Sequence, residues 1–150
     1  MLSKHFSREE FELSQTAVRL GIDNTIPESL LDNAKRTAEI MEIIRSGLGG
    51  RPINVSSGYR GVKLNAAIPN SSKTSAHTLA LACDFTCASF GSVYDTTEAV
   101  SHILDDFDQL IYEGRWIHIG LAEGHQRKEI LTATFNNNGR VFYHKGLLSF

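Results

Sequence analysis

The sequence predicts an α+β fold, and three observations carry that prediction. Apolar residues recur at three- and four-residue spacing between Leu31 and Leu48, the period of a helix with one buried face. Short alternating runs fill the last part of the chain, at 109–113, 116–121, 130–135 and 140–143. Tight-turn signals separate them, Gly114-Arg115 in the first pair and the Asn-Gly of 136–139 in the second, so each pair closes as an antiparallel hairpin. Helices first and hairpins last describe N-terminal helices packed on a small, mainly antiparallel sheet. With 150 residues, the chain is expected to form one domain over 1–150, large enough to bury a core without staples.

The elements follow in order. Ser7 and Glu10 have the spacing of a capping box, in which Ser7 caps and Glu10 reaches back, so a short helix opens here. A turn at 21–25 follows, and Pro27 suits the first turn of a longer helix. Its core face is Leu31, Ala34, Ala38, Met41, Ile44 and Leu48; Gly49-Gly50 stop it and Pro52 prevents its resumption. Ile53 and Val55 alternate in a short strand that 56–60 leave. A brief helix over 62–67 gives way to a polar loop at 69–75. Residues 79–85 read as a strand, with Leu81, Cys83 and Phe85 on one face and Ala82 and Asp84 on the other. Asp95 or Thr96 can cap a helix that runs to about residue 104. The chain carries no internal repeat and no low-complexity segment.

Composition removes several function classes. Hydrophobic residues make up 41% and charged residues 21%, the balance of a soluble globular protein. The 15 basic and 17 acidic residues are mixed and leave a net charge of −2, which offers no basic face for nucleic acid. No apolar run reaches membrane-spanning length, and the start MLSKHFSREE lacks an apolar signal region, so synthesis in the cytoplasm is expected. Cys83 and Cys87 are the only cysteines. On one strand they would lie roughly 13 Å apart at about 3.3 Å per residue, too far for a disulfide, so they read as buried thiols.

The chemistry gathers in two stretches. His77 and Asp84 stand seven positions apart, Arg60 follows the first strand, and His118 lies in the apolar run WIHIGL. Two imidazoles and a carboxylate with a fourth position open form a typical catalytic zinc set. Each residue also has a plainer reading: His77 as a surface histidine, His118 as a packed one, Asp84 as the partner of Arg60. Asp84 is the hardest to dismiss, because a strand carboxylate flanked by Cys83 and Phe85 needs a cation. His5, His102, His125 and His144 have no partner at a telling spacing. The hairpin adds Glu113. If Gly114-Arg115 is the whole loop, Glu113 pairs with Trp116, Tyr112 with Ile117 and Ile111 with His118. Ile111, Glu113, Trp116 and His118 then share one face, and Ile117, Ile119 and Leu121 take the apolar one. Glu113 and His118 become diagonal neighbours, about 7 Å between α-carbons, close enough for the carboxylate to act as a general base on a metal-bound water. A bulge at Gly114 would turn Glu113 away and leave Asp108 as the next candidate.

The residues Ser57-Gly58-Tyr59-Arg60, Asn65, Ser75-Ala76-His77 through Ala82-Cys83-Asp84, and Trp116-Ile117-His118 resemble the zinc D-alanyl-D-alanine peptidases. That group includes bacterial carboxypeptidases and phage endolysins, and hedgehog signalling domains share its fold. The likeness extends along almost the whole chain, from SQTAVRLGIDN to FDQLIYEGRWIHIGL, and is strongest to short phage and prophage members. The resemblance implies that His77, Asp84 and His118 hold one Zn2+ per chain. It makes Arg60 a binder of a substrate carboxylate or oxyanion, Ser75 a secondary polar contact and Glu113 the acid/base. Two departures stand out: Ala80 occupies a position that is often glycine, and Glu113 precedes His118 by five residues where some members have three.

The implied function is hydrolysis of D-Ala-containing bonds in peptidoglycan stem peptides by a monomer that uses neither nucleic acid nor membrane. Two alternatives stand beside the carboxypeptidase: an endopeptidase that cuts the cross-link, and a non-catalytic wall-binding or phage structural module on the same fold. An enzyme made in the cytoplasm would reach the wall by a holin-like release or by delivery in a virion.

Overall fold

A computed structural model describes residues 1–69 and 71–149; Asn70, inside the loop expected at 69–75, and Phe150 lie outside them. The described residues form five α-helices, one more than the spacing predicts, and a six-stranded sheet, in keeping with the expected α+β class.

The capping box forms as expected at the head of α1 (Arg8–Glu12), where Ser7 Oγ accepts from Glu10 N–H and Glu10 accepts from Ser7 N–H. A second short helix, α2 (Gln15–Leu20), falls between the predicted elements. Its signals are Ser14, which accepts from Ala17 N–H, and Gly21, which ends the helix at φ +67°. Pro27 sits just ahead of a 3-10 turn, Glu28–Leu30, that leads into α3 (Leu31–Gly47). The expected face of α3 is the buried one: Ala34, Ala38, Met41 and Ile44 are sealed from solvent, and Leu48 beyond its end is buried too. After α4 (Val62–Ala67) comes a second long helix, α5 (Val93–Ile103), and its cap is Ser92. Asp95 and Thr96 lie instead in the first turn, where Asp95 N–H donates to Ser92 Oγ. The cap expected at Asp95 or Thr96 is thus corrected to Ser92, three residues ahead of Asp95, because the helix already begins at Val93.

The strands are β1 (Asn54–Ser57), β2 (Ala82–Thr86), β3 (Gln109–Tyr112), β4 (Ile117–Gly120), β5 (Glu129–Phe135) and β6 (Val141–Lys145), in the sheet order β1-β2-β4-β3-β5-β6. Residues 79–81, expected in the strand, belong to the approach to it: Leu79 ends a 3-10 turn and Ala80 takes φ +58°. All pairs are antiparallel except β3 with β5. The reason is local. Asp108 accepts from Arg127 N–H and both ends of its guanidinium, while Lys128 and Glu129 N–H donate to Phe107 and Asp108 carbonyls, so β5 starts beside the start of β3 and must run with it.

One face of this sheet supplies Cys83, Phe85, Leu110, Ile117 and Ile119 to a core closed by α3 and α5. The other face is free to carry polar residues. Both cysteines are free and buried, as expected. No helix among the described residues is long and apolar enough to cross a membrane.

Gly58 fixes how α1 meets the sheet. A β-carbon there would stand 2.7 Å from Phe11 Cα and 2.8 Å from Phe11 O, while Tyr59 N–H donates to that same oxygen. Gly58→Ala is therefore expected to cost about 1–3 kcal/mol, the usual range for forced overpacking, measured by urea denaturation. At Gly114 an added β-carbon meets nothing, so Gly114→Ala should lose only about 1–2 kcal/mol from its φ of +81°.

Candidate metal centre and surrounding pocket

Strand register brings two of the three expected ligands together, and a 3-10 turn delivers the third. Asp84 on β2 is the cross-strand partner of His118 on β4, and both project to the face away from the core. His77 arrives from the 3-10 turn Ala76–Leu79, which Ser75 Oγ caps by accepting from His77 N–H. Helix α3 pins the same turn from behind: Asn33 Nδ2 donates to Leu79 O and Thr37 Oγ1 to Ala80 O. Ala80 adopts the left-handed backbone that glycine takes most easily, so the alanine fills the often-glycine position without abandoning the geometry suited to glycine.

His77 Nε2 lies 3.2 Å and His118 Nδ1 2.9 Å from the same oxygen, Asp84 Oδ1. The imidazoles meet edge to face with centroids 5.1 Å apart, and one donor atom from each of the three residues falls within 4.8 Å of the others. His77 Nδ1 donates to Gly58 O at 2.6 Å, which fixes the tautomer and leaves the Nε2 lone pair for the site. A converging two-nitrogen, one-oxygen set with one imidazole anchored from behind fits a metal ion such as zinc. Of the plainer readings, the surface histidine is excluded, since His77 is 1% exposed.

The electrostatics agree with a buried cationic demand. Burial opposes the charge on Asp84, but the two imidazoles outweigh it and hold the carboxyl far below its usual range. Burial lowers the pKa of His77, with Asp84 opposing. Burial also acts against His118, but its bond to Asp84, together with the charges of Asp84 and Glu113, raises it.

The hairpin has the expected register, Ile111 opposite His118 and Tyr112 opposite Ile117, and Glu113 N–H donates to Trp116 O across its end. Gly114 takes φ +81° without a bulge, so Glu113 faces the same pocket as the metal cluster. Trp116 does more than share that face: its Nε1–H donates to Glu113 Oε2 at 2.7 Å. Burial, with the Asp84 charge, raises the Glu113 pKa above the ordinary carboxylate value; His118, Trp116 and Arg60 act in the opposite sense. Asp108, the fallback candidate, also lines the pocket but is tied up by Arg127.

Arg60 enters from the segment after β1. A bulge between Val55 and Ser57 turns the chain there, and three backbone ties hold it: Asn24 Nδ2 donates to Tyr59 O, Gly61 N–H donates to Asn24 Oδ1, and Arg60 N–H donates to His77 O. The guanidinium lines the pocket, and its buried Nε has no hydrogen-bond partner among the described residues. Among those residues neither Asp84 nor Glu113 forms a close ion pair with Arg60, but both carboxylates act on the guanidinium through space, against the burial that lowers its pKa, so Arg60 is an electrostatic neighbour of Asp84 without a hydrogen bond to it. Ser75 lines the pocket as well as capping its turn. Of the other histidines, His5 bonds Glu42 on the surface, and His144 lies beside Thr134 Oγ1, on the face opposite Tyr143.

These residues surround a cavity of about 520 Å³. Its far wall comes from β5 and β6, through Leu131, Phe135, Val141 and Tyr143. The sequence reading assigned them no role, although their alternation was visible. The Trp116–Glu113 bond and the Asn24 clamp were also missed, since neither leaves a spacing pattern.

The profile of a family described as Peptidase M15 matches residues 4–120. No curated protein matches the chain.

His77→Ala and His118→Ala each remove one donor from the set. Zinc added in excess is expected to load the unaltered chain with one ion and neither variant, as read by metal analysis after dialysis. In the same samples, zinc at about 100 times its dissociation constant should stabilise the unaltered fold by about 2.7 kcal/mol, seen as a rise in Tm that chelation reverses.

Proposed function

Since the chain belongs to the peptidase M15 family, we propose that it is a zinc-dependent peptidase acting on D-Ala-containing bonds of peptidoglycan stem peptides, in the manner of a DD-carboxypeptidase. The observation that carries this reading is the arrangement of three groups around one pocket: the His77–Asp84–His118 set, the Glu113 carboxylate and the Arg60 guanidinium, whose buried Nε has no hydrogen-bond partner among the described residues. His77, Asp84 and His118 would hold the ion. Bound there, zinc supplies Lewis-acid polarisation of the scissile carbonyl and lowers the pKa of a water to about 7.

The chain's own residues supply the rest. Glu113 Oε2 is held by Trp116, so Oε1 is the atom left to take the proton of the attacking water and return it to the departing amine. A carboxylate with a raised pKa is a better base near neutrality than an ordinary one. Arg60, with donors to spare, clamps the terminal carboxylate or the developing oxyanion through its planar fork. In this reading the enzyme works as a monomer, makes no use of nucleic acid or membrane, and reaches the wall by holin-like release or in a virion. Phe135, Val141 and Tyr143 add a further wall to the pocket, room that a terminal D-Ala alone would not need. That room favours a second reading, an endopeptidase that accepts a longer cross-linked peptide.

The deciding experiment is mass spectrometry of purified peptidoglycan and defined muropeptides after digestion. Loss of a terminal D-Ala marks the carboxypeptidase, separation of cross-linked stems marks the endopeptidase, and intact substrate from a zinc-loaded chain would sink both.

Glu113→Gln should keep its zinc and its fold while turnover falls by about 10²–10⁴-fold. In the unaltered enzyme the rate should drop as pH falls through a value above the ordinary carboxylate pKa, because protonated Glu113 cannot accept the proton; the variant's residual rate should lack that acidic limb. Arg60→Lys keeps the charge and loses the fork, so kcat/KM should fall by about 10-fold or more with zinc content unchanged.

A further inference from the structure

The active face of the sheet does not stop at the metal cluster. Cross-strand pairing runs from Asp84 to His118, then to Ile111, Leu131 and Lys145, so one row of side chains crosses five strands on the same face. Two residues along β5 and β6, the same alternation sets Ala133 opposite Tyr143 and Phe135 opposite Val141. Phe135 and Tyr143 are 49% and 52% exposed, and Trp116 lies 6.4 Å from Phe135 with its ring tilted by 45°. Three aromatic rings therefore border the open end of the pocket, continuous with Glu113 through Trp116.

The rest of the pocket is polar: Ser71, Ser72 and Thr74 line it, and Gln109 with the Asp108–Arg127 pair borders it at the start of β3, the opposite end of the strands from Phe135. A charged peptide side chain would find aromatic faces in place of counter-ions at the β5–β6 end. A saturated ring with C–H faces and polar edges suits an exposed aromatic wall that opens onto a polar pocket. We infer that the β5–β6 hairpin builds a sugar subsite: Trp116, Phe135 and Tyr143 receive the pyranose face of the glycan to which the stem peptide is attached. This inference rests on the peptidoglycan reading of the same pocket. It concerns residues that lie, apart from Trp116, beyond the stretch matched by the family profile.

Trp116 is the only tryptophan in the chain, so its emission reports on the subsite without any need for turnover. The probes are the disaccharide of N-acetylglucosamine and N-acetylmuramic acid, the free stem peptide, and the two joined. The disaccharide alone should shift or quench Trp116 emission in a saturable way. The response should vanish in Phe135→Ala and survive in Phe142→Ala, whose side chain lies on the opposite face of β6. Hydrolysis should favour the disaccharide-linked peptide over the free one by roughly tenfold, the scale of one good aromatic contact, and Phe135→Ala should bring the ratio to about one. An emission response to the free peptide but not the disaccharide, or a Phe135→Ala response equal to that of the unaltered chain, overturns the subsite. If neither substrate is cut but the disaccharide response is present and depends on Phe135, the peptidase reading fails and the subsite stands.

Discussion

A carboxylate buried between two imidazoles is the constraint around which this molecule is arranged. Asp84 sits on a central strand with its neighbours Cys83 and Phe85 in the core, and water is largely kept from it. A lone charge there would cost several kcal/mol. His118 eases that cost by a hydrogen bond to Asp84 Oδ1, His77 Nε2 lies 3.2 Å from the same oxygen, and a divalent cation between the three would do so more completely. The pairing that makes this possible is a property of the sheet. Antiparallel register puts Asp84 directly opposite His118, and a slip of β4 by one residue would turn His118 toward the core and away from Asp84.

The third member, His77, is not on the sheet, and its placement takes most of the remaining architecture. The Gly58 carbonyl receives its Nδ1, Ser75 caps its turn, and α3 reaches across with Asn33 and Thr37 to hold the turn's last carbonyls. Gly58 itself can present that carbonyl only because it has no side chain to collide with α1. Arg60 is threaded through the same segment and hydrogen-bonds His77 O through its own peptide N–H. The N-terminal helices therefore matter to the chemistry through backbone contacts, although they supply no side chain to the ion set.

This division explains what could be read from the sequence. Asp84, His118 and Glu113 were legible because strand alternation and a two-residue turn are strict geometric rules, and the register of β3 and β4 followed from them. His77 was legible as a residue type but not as a buried one: a Ser- and Thr-rich surrounding suggests a surface loop, and only the tertiary hydrogen bonds to Gly58 and α3 reverse that. The parallel pairing of β5 with β3 depends on the Asp108–Arg127 tie, a contact between side chains nineteen positions apart that no local pattern announces. Asn24 shows the same limit. It holds Tyr59 and Gly61 across more than thirty residues, and nothing in GIDN marks it as a clamp.

The parallel strand has a consequence for motion. β5 and β6 form the outer end of the sheet, and β6 has a neighbour on one side only. Several of its side chains are exposed, whereas β2 and β4 are closed on both edges and backed by the core. Amide protons of β6 must therefore exchange through local opening at a lower free energy than those of β2, which are released only when the whole fold opens. The rim of the pocket is then the part of the sheet that loosens first, while the ion set stays on the part that loosens last. Fraying at that edge would leave the geometry at the centre undisturbed.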